Sequence, residues 1–387
     1  MDFAVNEHTE AFREEVRQLL DEQLTDEVRT RLRETGTAHD WGLHRAMAER
    51  HWIGAAWPRE EGGLEMDPYD MEILYEELAA AGAPTDGFSI TMVVAETIRR
   101  AGTAEQRERL LGPIQRGEIV VSLGYSEPDV GSDLASVKTK AVREGDSWRI
   151  DGQKAFTTMA HEASYVFLLA RTDTEVAPHR GLTLFLVPTD ADGFSLDPVH
   201  TLGGERTNMT YFNEVVVADE NRIGEVDGGW KVIMLALAFE RGGEFAAQLR
   251  RLTGAAAVFV AENGLGEDET MLGRVGRLRA DTEVARLLGS RATWLRATDN
   301  AGDIEGTMAK LYATDALVRN SSDTLDAAGA EGLRAHGAAS WAAAHLEHAY
   351  MHSHVTTIYG GTSEILRGVI AERRLGMPRN RPKGKAP

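Results

Sequence analysis

The chain has 387 residues, 42% apolar and 27% charged, a composition suited to globular domains with large cores. Sixty-one acidic side chains against 42 Lys plus Arg give a net charge of −19, which argues against nucleic-acid binding through a basic surface. Cysteine is absent, so disulfides, thiolate metal sites and a Cys nucleophile are excluded.

In chain order, residues 1–117 read as helices. Phe12, Val16, Leu19 and Leu20 recur at helical spacing, as do the apolar residues of Met71-Glu-Ile-Leu-Tyr-Glu-Glu-Leu-Ala. Asp86-Gly87 opens a further apolar stretch, and Gly112-Pro113 is expected to interrupt the next helix. From residue 118 to 226 the chain turns to short β-forming runs, namely IVVSLGYS, SVKTKAV, SWRIDG, SYVFLLART, GLTLFLVPT and TYFNEVVV, punctuated as in a sandwich or barrel. Neither GxGxxG nor GxxxxGK[ST] occurs. Helices return over 227–376. The stretch from Trp230 to Asn263 lacks proline and could form one helix of about 50 Å, bent at Gly242-Gly243. Further helices are expected over 276–300, 303–328, 338–357 and 363–375, before a mobile basic tail at 377–387. The first 30 residues hold no apolar leader core, and no run approaches the roughly 18 apolar residues of a membrane span. A cytoplasmic location and no membrane partner are expected.

Two stretches carry more specific information. One is Tyr125-Ser126-Glu127-Pro128-Asp129-Val130-Gly131-Ser132-Asp133, followed by Gly152-Gln153-Lys154-Ala155-Phe156-Thr157-Thr158. The other is Ile358-Tyr359-Gly360-Gly361-Thr362-Ser363-Glu364-Ile365-Leu366-Arg367. With the order helical, β, helical, they resemble the acyl-CoA dehydrogenase family along nearly the whole chain, and in particular its divergent actinobacterial-type branch. The resemblance implies an α+β multidomain fold with a helical N-terminal domain, a central β domain and a C-terminal helical bundle. It also implies FAD held between the β domain and the C-terminal helices, and α,β-dehydrogenation of an acyl thioester, most simply acyl-CoA. A carboxylate would take the α-proton, the β-hydride would pass to flavin N5, and electrons would leave to an electron-transfer flavoprotein.

Carried over residue by residue, Tyr125 and Ser126 match positions against the flavin ring, and Thr158 matches a threonine near N5. Phe156 stands where most members have tryptophan, which keeps a packing surface and loses the indole N–H. Ser132 matches a contact to the CoA arm, and Thr362 and Glu364 match contacts to the adenosine end of FAD. Each is also readable as an ordinary strand or cap residue.

Many members place the base directly after the Tyr of the last motif, where this chain has Gly360. A smaller set keeps it on the long C-terminal helix before an arginine, and Glu240-Arg241 follows the apolar run Val232–Phe239 in that setting. Partial desolvation there would raise a carboxylate pKa toward a useful range. Glu240 is therefore the expected base, Arg241 the residue that orients base or substrate, and Glu244 the substitute candidate. Gly360 keeps a role through its backbone N–H, which in the family helps hold the thioester oxygen.

Two segments depart from the family. Arg274-Val-Gly-Arg277-Leu-Arg279 lacks the usual Phe-Gly, and Leu325–Gly332 lacks the usual Gln-x-x-Gly-Gly-x-Gly. Both support the dinucleotide end in trans, so a homo-oligomer, or a heteromer with a second family subunit, is expected. Two alternatives stand beside the dehydrogenase: a flavin-dependent monooxygenase on the same fold, and a subunit that completes a partner's FAD site. His345, His348, His352 and His354 cluster before the last motif, but with no third ligand at a defined spacing they are read as polar helix residues. His161-Glu162 reads as a loop, and 266–270 as a solvated acidic loop.

Overall fold

Helix boundaries follow local capping chemistry. The Thr25 side chain accepts from the Val28 N–H, and Gly36, at φ 66°, closes the helix that follows. Asp40, Asp67 and Thr103 cap the next starts, Thr103 with Gln106 as a reciprocal capping box. The computed structural model describes residues 7–239, 244–298, 303–333 and 340–378, which fall into two bodies. Glu240, Arg241, the Gly242-Gly243 pair and most of the tail lie outside the described residues.

The first body begins with helices α1 (Glu7–Gln23), α2 (Asp26–Thr35), α3 (Trp41–Glu49), α4 (Pro68–Ala81), α5 (Asp86–Ala101) and α6 (Ala104–Gln115). Pro113 does not interrupt α6, contrary to the sequence expectation. It lies in the last turn, so the one backbone bond it forgoes is lost where only two more residues of the helix follow.

Eight strands follow: β1 (Val121–Gly124), β2 (Lys140–Glu144), β3 (Ser147–Lys154), β4 (Tyr165–Arg171), β5 (Leu182–Pro188), β6 (Phe194–His200), β7 (Arg206–Ala218) and β8 (Arg222–Ile223). They form one sheet in the order β6-β7-β3-β2-β4-β5-β8, with β1 paired in parallel to β4. β6 was not expected. It is an edge strand in which Phe194 and Leu196 alternate with Ser195 and Asp197, but Pro198 breaks the run and makes it read as a turn. Both faces of β4 are covered. Val166, Leu168 and Ala170 join Trp148, Phe185 and Phe212 in one core, while Phe167 and Leu169 join the helical core with Val121, Phe88 and Ile98. The helix α7 (Gly229–Phe239) closes this body, burying Val232, Ile233 and Ala236 in the helical core.

The second body is helical: α8 (Glu244–Glu262), α9 (Glu269–Ala297), α10 (Asp303–Gly332), α11 (Trp341–Thr356) and α12 (Ser363–Arg373). Its core gathers Phe245, Leu249, Leu252, Phe259, Leu278, Leu317 and Leu346. The expected 34-residue helix is thus described as α7 and α8, on either side of residues 240–243. Among the described residues, no helix is long and apolar enough to cross a membrane.

Candidate active site

The first body brings the two halves of the first motif together. After β1 the chain turns through Glu127-Pro128-Asp129-Val130, closed by mutual backbone bonds between Glu127 and Val130 of 2.8 and 3.0 Å. The buried Glu127 carboxylate accepts from the Lys138 and Thr139 amides, each at 2.8 Å, and from the Lys154 ammonium at 2.9 Å. Lys154, with no exposed surface, also donates to the Tyr125 carbonyl at 3.1 Å. The Ala155 amide donates to the Ser126 carbonyl at 2.9 Å. Burial pushes the Lys154 ammonium down to about 8 against the opposing pull of Glu127. Burial would raise Glu127, but the Lys154 charge and the two amides outweigh it and hold the carboxyl below its ordinary range.

The segment 155–161 is strapped to β7. Thr157, fully buried, exchanges backbone and side-chain bonds with Asn208: its N–H donates to the Asn208 carbonyl at 2.9 Å, and Asn208 Nδ2 donates to its carbonyl at 3.0 Å. The Thr157 and Thr210 hydroxyls bond at 3.0 Å, the Thr158 and Thr207 hydroxyls at 3.1 Å, and Ser122 Oγ donates to the Thr158 carbonyl at 2.6 Å. His161 lies between Asn208 (3.1 Å) and the Thr37 hydroxyl (2.9 Å). Phe156 sits at φ 57° and is 66% exposed. A left-handed conformation costs a non-glycine residue about 1–2 kcal/mol, and an exposed aromatic ring regains nothing of that from burial.

Tyr125 is buried edge-on against Phe167, with ring centres 6.2 Å apart. Ser126 is half-buried, and among the described residues nothing accepts from its amide or its hydroxyl. Ser132 is exposed in the loop beyond.

Beside this site lies a feature that the sequence reading missed. His39 and His44 are buried, with ring centres 5.1 Å apart, and none of their four ring nitrogens has a hydrogen-bond partner among the described residues. Burial, reinforced by the neighbouring His44, pushes His39 down to about 3, against the pull of Asp40; burial and Arg45 push His44 down to about 4. Unfolding frees both imidazoles to take protons near 6.5. Below that pH the unfolded chain binds more protons than the folded one, so stability falls as pH drops from 6.5 toward 4. We expect a loss of about 2 kcal/mol per histidine at pH 5. Urea unfolding at pH 7 and 5 measures it, and His44→Phe should shrink the difference.

In the second body, Thr362 caps α12 by accepting from the Ile365 N–H at 3.2 Å, and Glu364 is exposed in the first turn. Gly360 (φ 62°) and Gly361 (φ 96°) both adopt left-handed conformations that suit glycine. The Lys310 ammonium, 1% exposed on α10, donates to the carbonyls of Tyr359 and Gly361, the latter at 2.8 Å. Asp315 holds Ser363 Oγ at 2.9 Å and Arg367 at 2.5 Å. Arg274 donates to the Asp326 carboxylate at 2.8 Å, and Arg277 to that of Asp323 at 3.0 Å, so both are tied to α10. The rings of His345, His348 and His352 stack along α11, with centres 6.2 and 5.7 Å apart.

The profiles of the acyl-CoA dehydrogenase N-terminal, middle and C-terminal domains match residues 6–118, 122–215 and 227–375. The acyl-CoA dehydrogenase FadE26 of Mycobacterium tuberculosis is 33% identical over 86% of this chain and 86% of its own length. The chain belongs to the acyl-CoA dehydrogenase family. Among solved structures it is similar to the Tcur3481-Tcur3483 steroid ACAD, at a TM-score of 0.92 and 33% identity over 98% of this chain and 100% of that one. It is also similar to the ChsE4-ChsE5 complex from Mycobacterium tuberculosis, at a TM-score of 0.88 and 30% identity over 98% and 100%. Acyl-CoA dehydrogenases are FAD flavoproteins, and this chain is an oxidoreductase of that family. Glu127, Lys154 and Asn208 make up the scaffold of the first motif. Glu127 and Lys154 fall within its sequence, though nothing there marked them as a buried pair, whereas Asn208 and Lys310 had no signal beyond their residue types.

Proposed function

We propose that this acyl-CoA dehydrogenase oxidises an acyl-CoA thioester at its α and β carbons, with Glu240 as general base. The observation that carries the reading is the half-buried Ser126, whose amide and hydroxyl await an acceptor within the loop held against the segment of the strained, exposed Phe156. The residues fit a flavin: the Ser126 amide and hydroxyl can meet ring heteroatoms, the Thr158 hydroxyl can do so while keeping Thr207 as its partner, Tyr125 lies beside them, and Phe156 offers a packing face. Bound FAD would supply a two-electron oxidant that accepts the β-hydrogen with its electron pair at N5.

The chain's own residues do the rest. Glu240 takes the α-proton, and Arg241 orients base or substrate. The Gly360 N–H, which donates to no other group among the described residues, holds the thioester oxygen as negative charge builds on it. Ser132 meets the CoA arm, and Thr362 and Glu364 the adenosine end of FAD. The domain limits 1–117, 118–226 and 227–376 divide these tasks, and an electron-transfer flavoprotein takes the electrons onward.

A second reading concerns assembly: the chain works as one subunit of a heteromer with another family member. Arg274 and Arg277 are spent on Asp326 and Asp323 of their own chain, and similar chains occur in the Tcur3481-Tcur3483 and ChsE4-ChsE5 pairs. The test is an anaerobic absorbance titration at the flavin band with a panel of straight-chain, branched and steroid-derived acyl-CoAs. Bleaching by any of them is expected. A yellow protein that no thioester bleaches overturns the dehydrogenase reading, and a colourless one that turns yellow only with a second subunit establishes the heteromer.

A further inference from the structure

We infer that Lys310 is a positioning residue for the substrate: its buried ammonium fixes the Tyr359–Gly361 turn so that the Gly360 N–H is aimed and strengthened as a donor to the thioester oxygen. This rests on the reading of Gly360 given above and adds the residue that makes a bare glycine amide serve.

The geometry begins with the peptide unit. Tyr359 C=O and Gly360 N–H belong to one planar group, and among the described residues no peptide is cis, so the two bonds point in opposite directions. Lys310 binds the carbonyl end of that group. The amide end is thereby directed away from α10. The same ammonium binds the Gly361 carbonyl at 2.8 Å, two peptides further on, so the turn is held on both sides of Gly360. Two successive glycines in left-handed conformations could otherwise swing freely, because neither has a Cβ to restrict it.

Charge adds to aim. A hydrogen bond from a cation to a peptide oxygen draws electron density toward that oxygen and makes the N–H of the same group a better donor. The effect is largest where water is excluded, and Lys310 is 1% exposed. Its ammonium also lies over the rings of Phe245 and Tyr359, 5.2 and 5.6 Å from their centres, which helps offset the cost of burying it. A lysine on the inner side of α10 would be a poor choice for packing alone. It makes sense where a cation must reach two carbonyls at the end of a flexible stem.

The experiment compares the full-length, FAD-loaded parent with Lys310→Met by two measurements. One is the red shift of the cinnamoyl-CoA absorption band on binding, which reads polarisation of the thioester carbonyl without any turnover. The other is a crystal structure of the variant. The parent is expected to shift the band. Lys310→Met is expected to lose more than half of that shift, with cinnamoyl-CoA affinity within about 3-fold of the parent and the Tyr359–Gly360 peptide turned. With a substrate that bleaches the parent, kcat is expected to fall about 10- to 100-fold, less than the 10²–10³ for deleting an oxyanion donor outright, while KM changes little. A variant that keeps the parent's shift and peptide orientation overturns the inference. If the parent shows no shift, the Gly360 reading fails, and the peptide orientation in Lys310→Met still decides whether Lys310 sets the turn. Should Lys310→Met not fold, Lys310→Gln, which keeps a neutral donor, takes its place and is expected to show an intermediate shift; a full parental shift would again overturn the inference.

Discussion

Glu240→Gln should leave the protein yellow and folded while slowing substrate-dependent bleaching by about 10²–10⁴-fold, the range for loss of a positioned general base. The amide keeps the size of the side chain and removes its ability to take the α-proton, so flavin content and thermal midpoint should match the parent. Anaerobic stopped-flow absorbance measures the rate directly. Glu244→Gln, at the start of α8, should change the rate less than about 10-fold. If the two variants exchange behaviour, the base is Glu244. If neither slows reduction, the chemistry is not α-proton abstraction by either carboxylate, and the monooxygenase alternative gains ground.

Glu127→Gln is expected to cost about 3–5 kcal/mol of stability, because it strands the buried Lys154 ammonium without its counter-charge. The Glu127 side chain also receives the Lys138 and Thr139 amides, so the turn that presents Ser126 loses its anchor. Denaturant unfolding of the apoprotein gives the stability, and the FAD dissociation constant gives the functional loss. Replacing both partners, as Glu127→Gln with Lys154→Met, removes the stranded charge and should recover much of the stability but not the flavin affinity. Recovery of both would mean that the pair does not position the flavin loop, and a single variant as stable as the parent would remove the argument from burial.

The order of helices and strands was readable because its signals are local: the helical spacing of Phe12, Val16, Leu19 and Leu20, and β-forming runs such as Tyr165–Arg171. β6 was not, because Pro198 reads as a break within the run, although Phe194 packs against Phe212. Gly112-Pro113 misled because the helix tolerates the one bond that Pro113 forgoes and stops two residues later. At the candidate site, residue types in two motifs pointed to the positions proposed to meet the flavin, but what holds those residues is non-local. Lys154 and Lys310 look like surface lysines in a sequence, and only the fold puts one against Glu127 and the other against two carbonyls. The left-handed backbone of Phe156 was equally hidden, since nothing about phenylalanine announces it.

The rims of the sheet bear on how chains of this kind can associate. At one rim β6 carries Asp197 and Pro198, the latter with no N–H to offer an incoming strand, and at the other β8 stops after two residues. An open rim is a template for further strands, and each of these is blunted. Growth by strand addition, the route to ordered aggregates, is therefore disfavoured at both ends. A partially unfolded β region would tend to refold or be degraded rather than seed a fibre, and Pro198→Val should raise the rate at which the heated protein forms thioflavin-binding material.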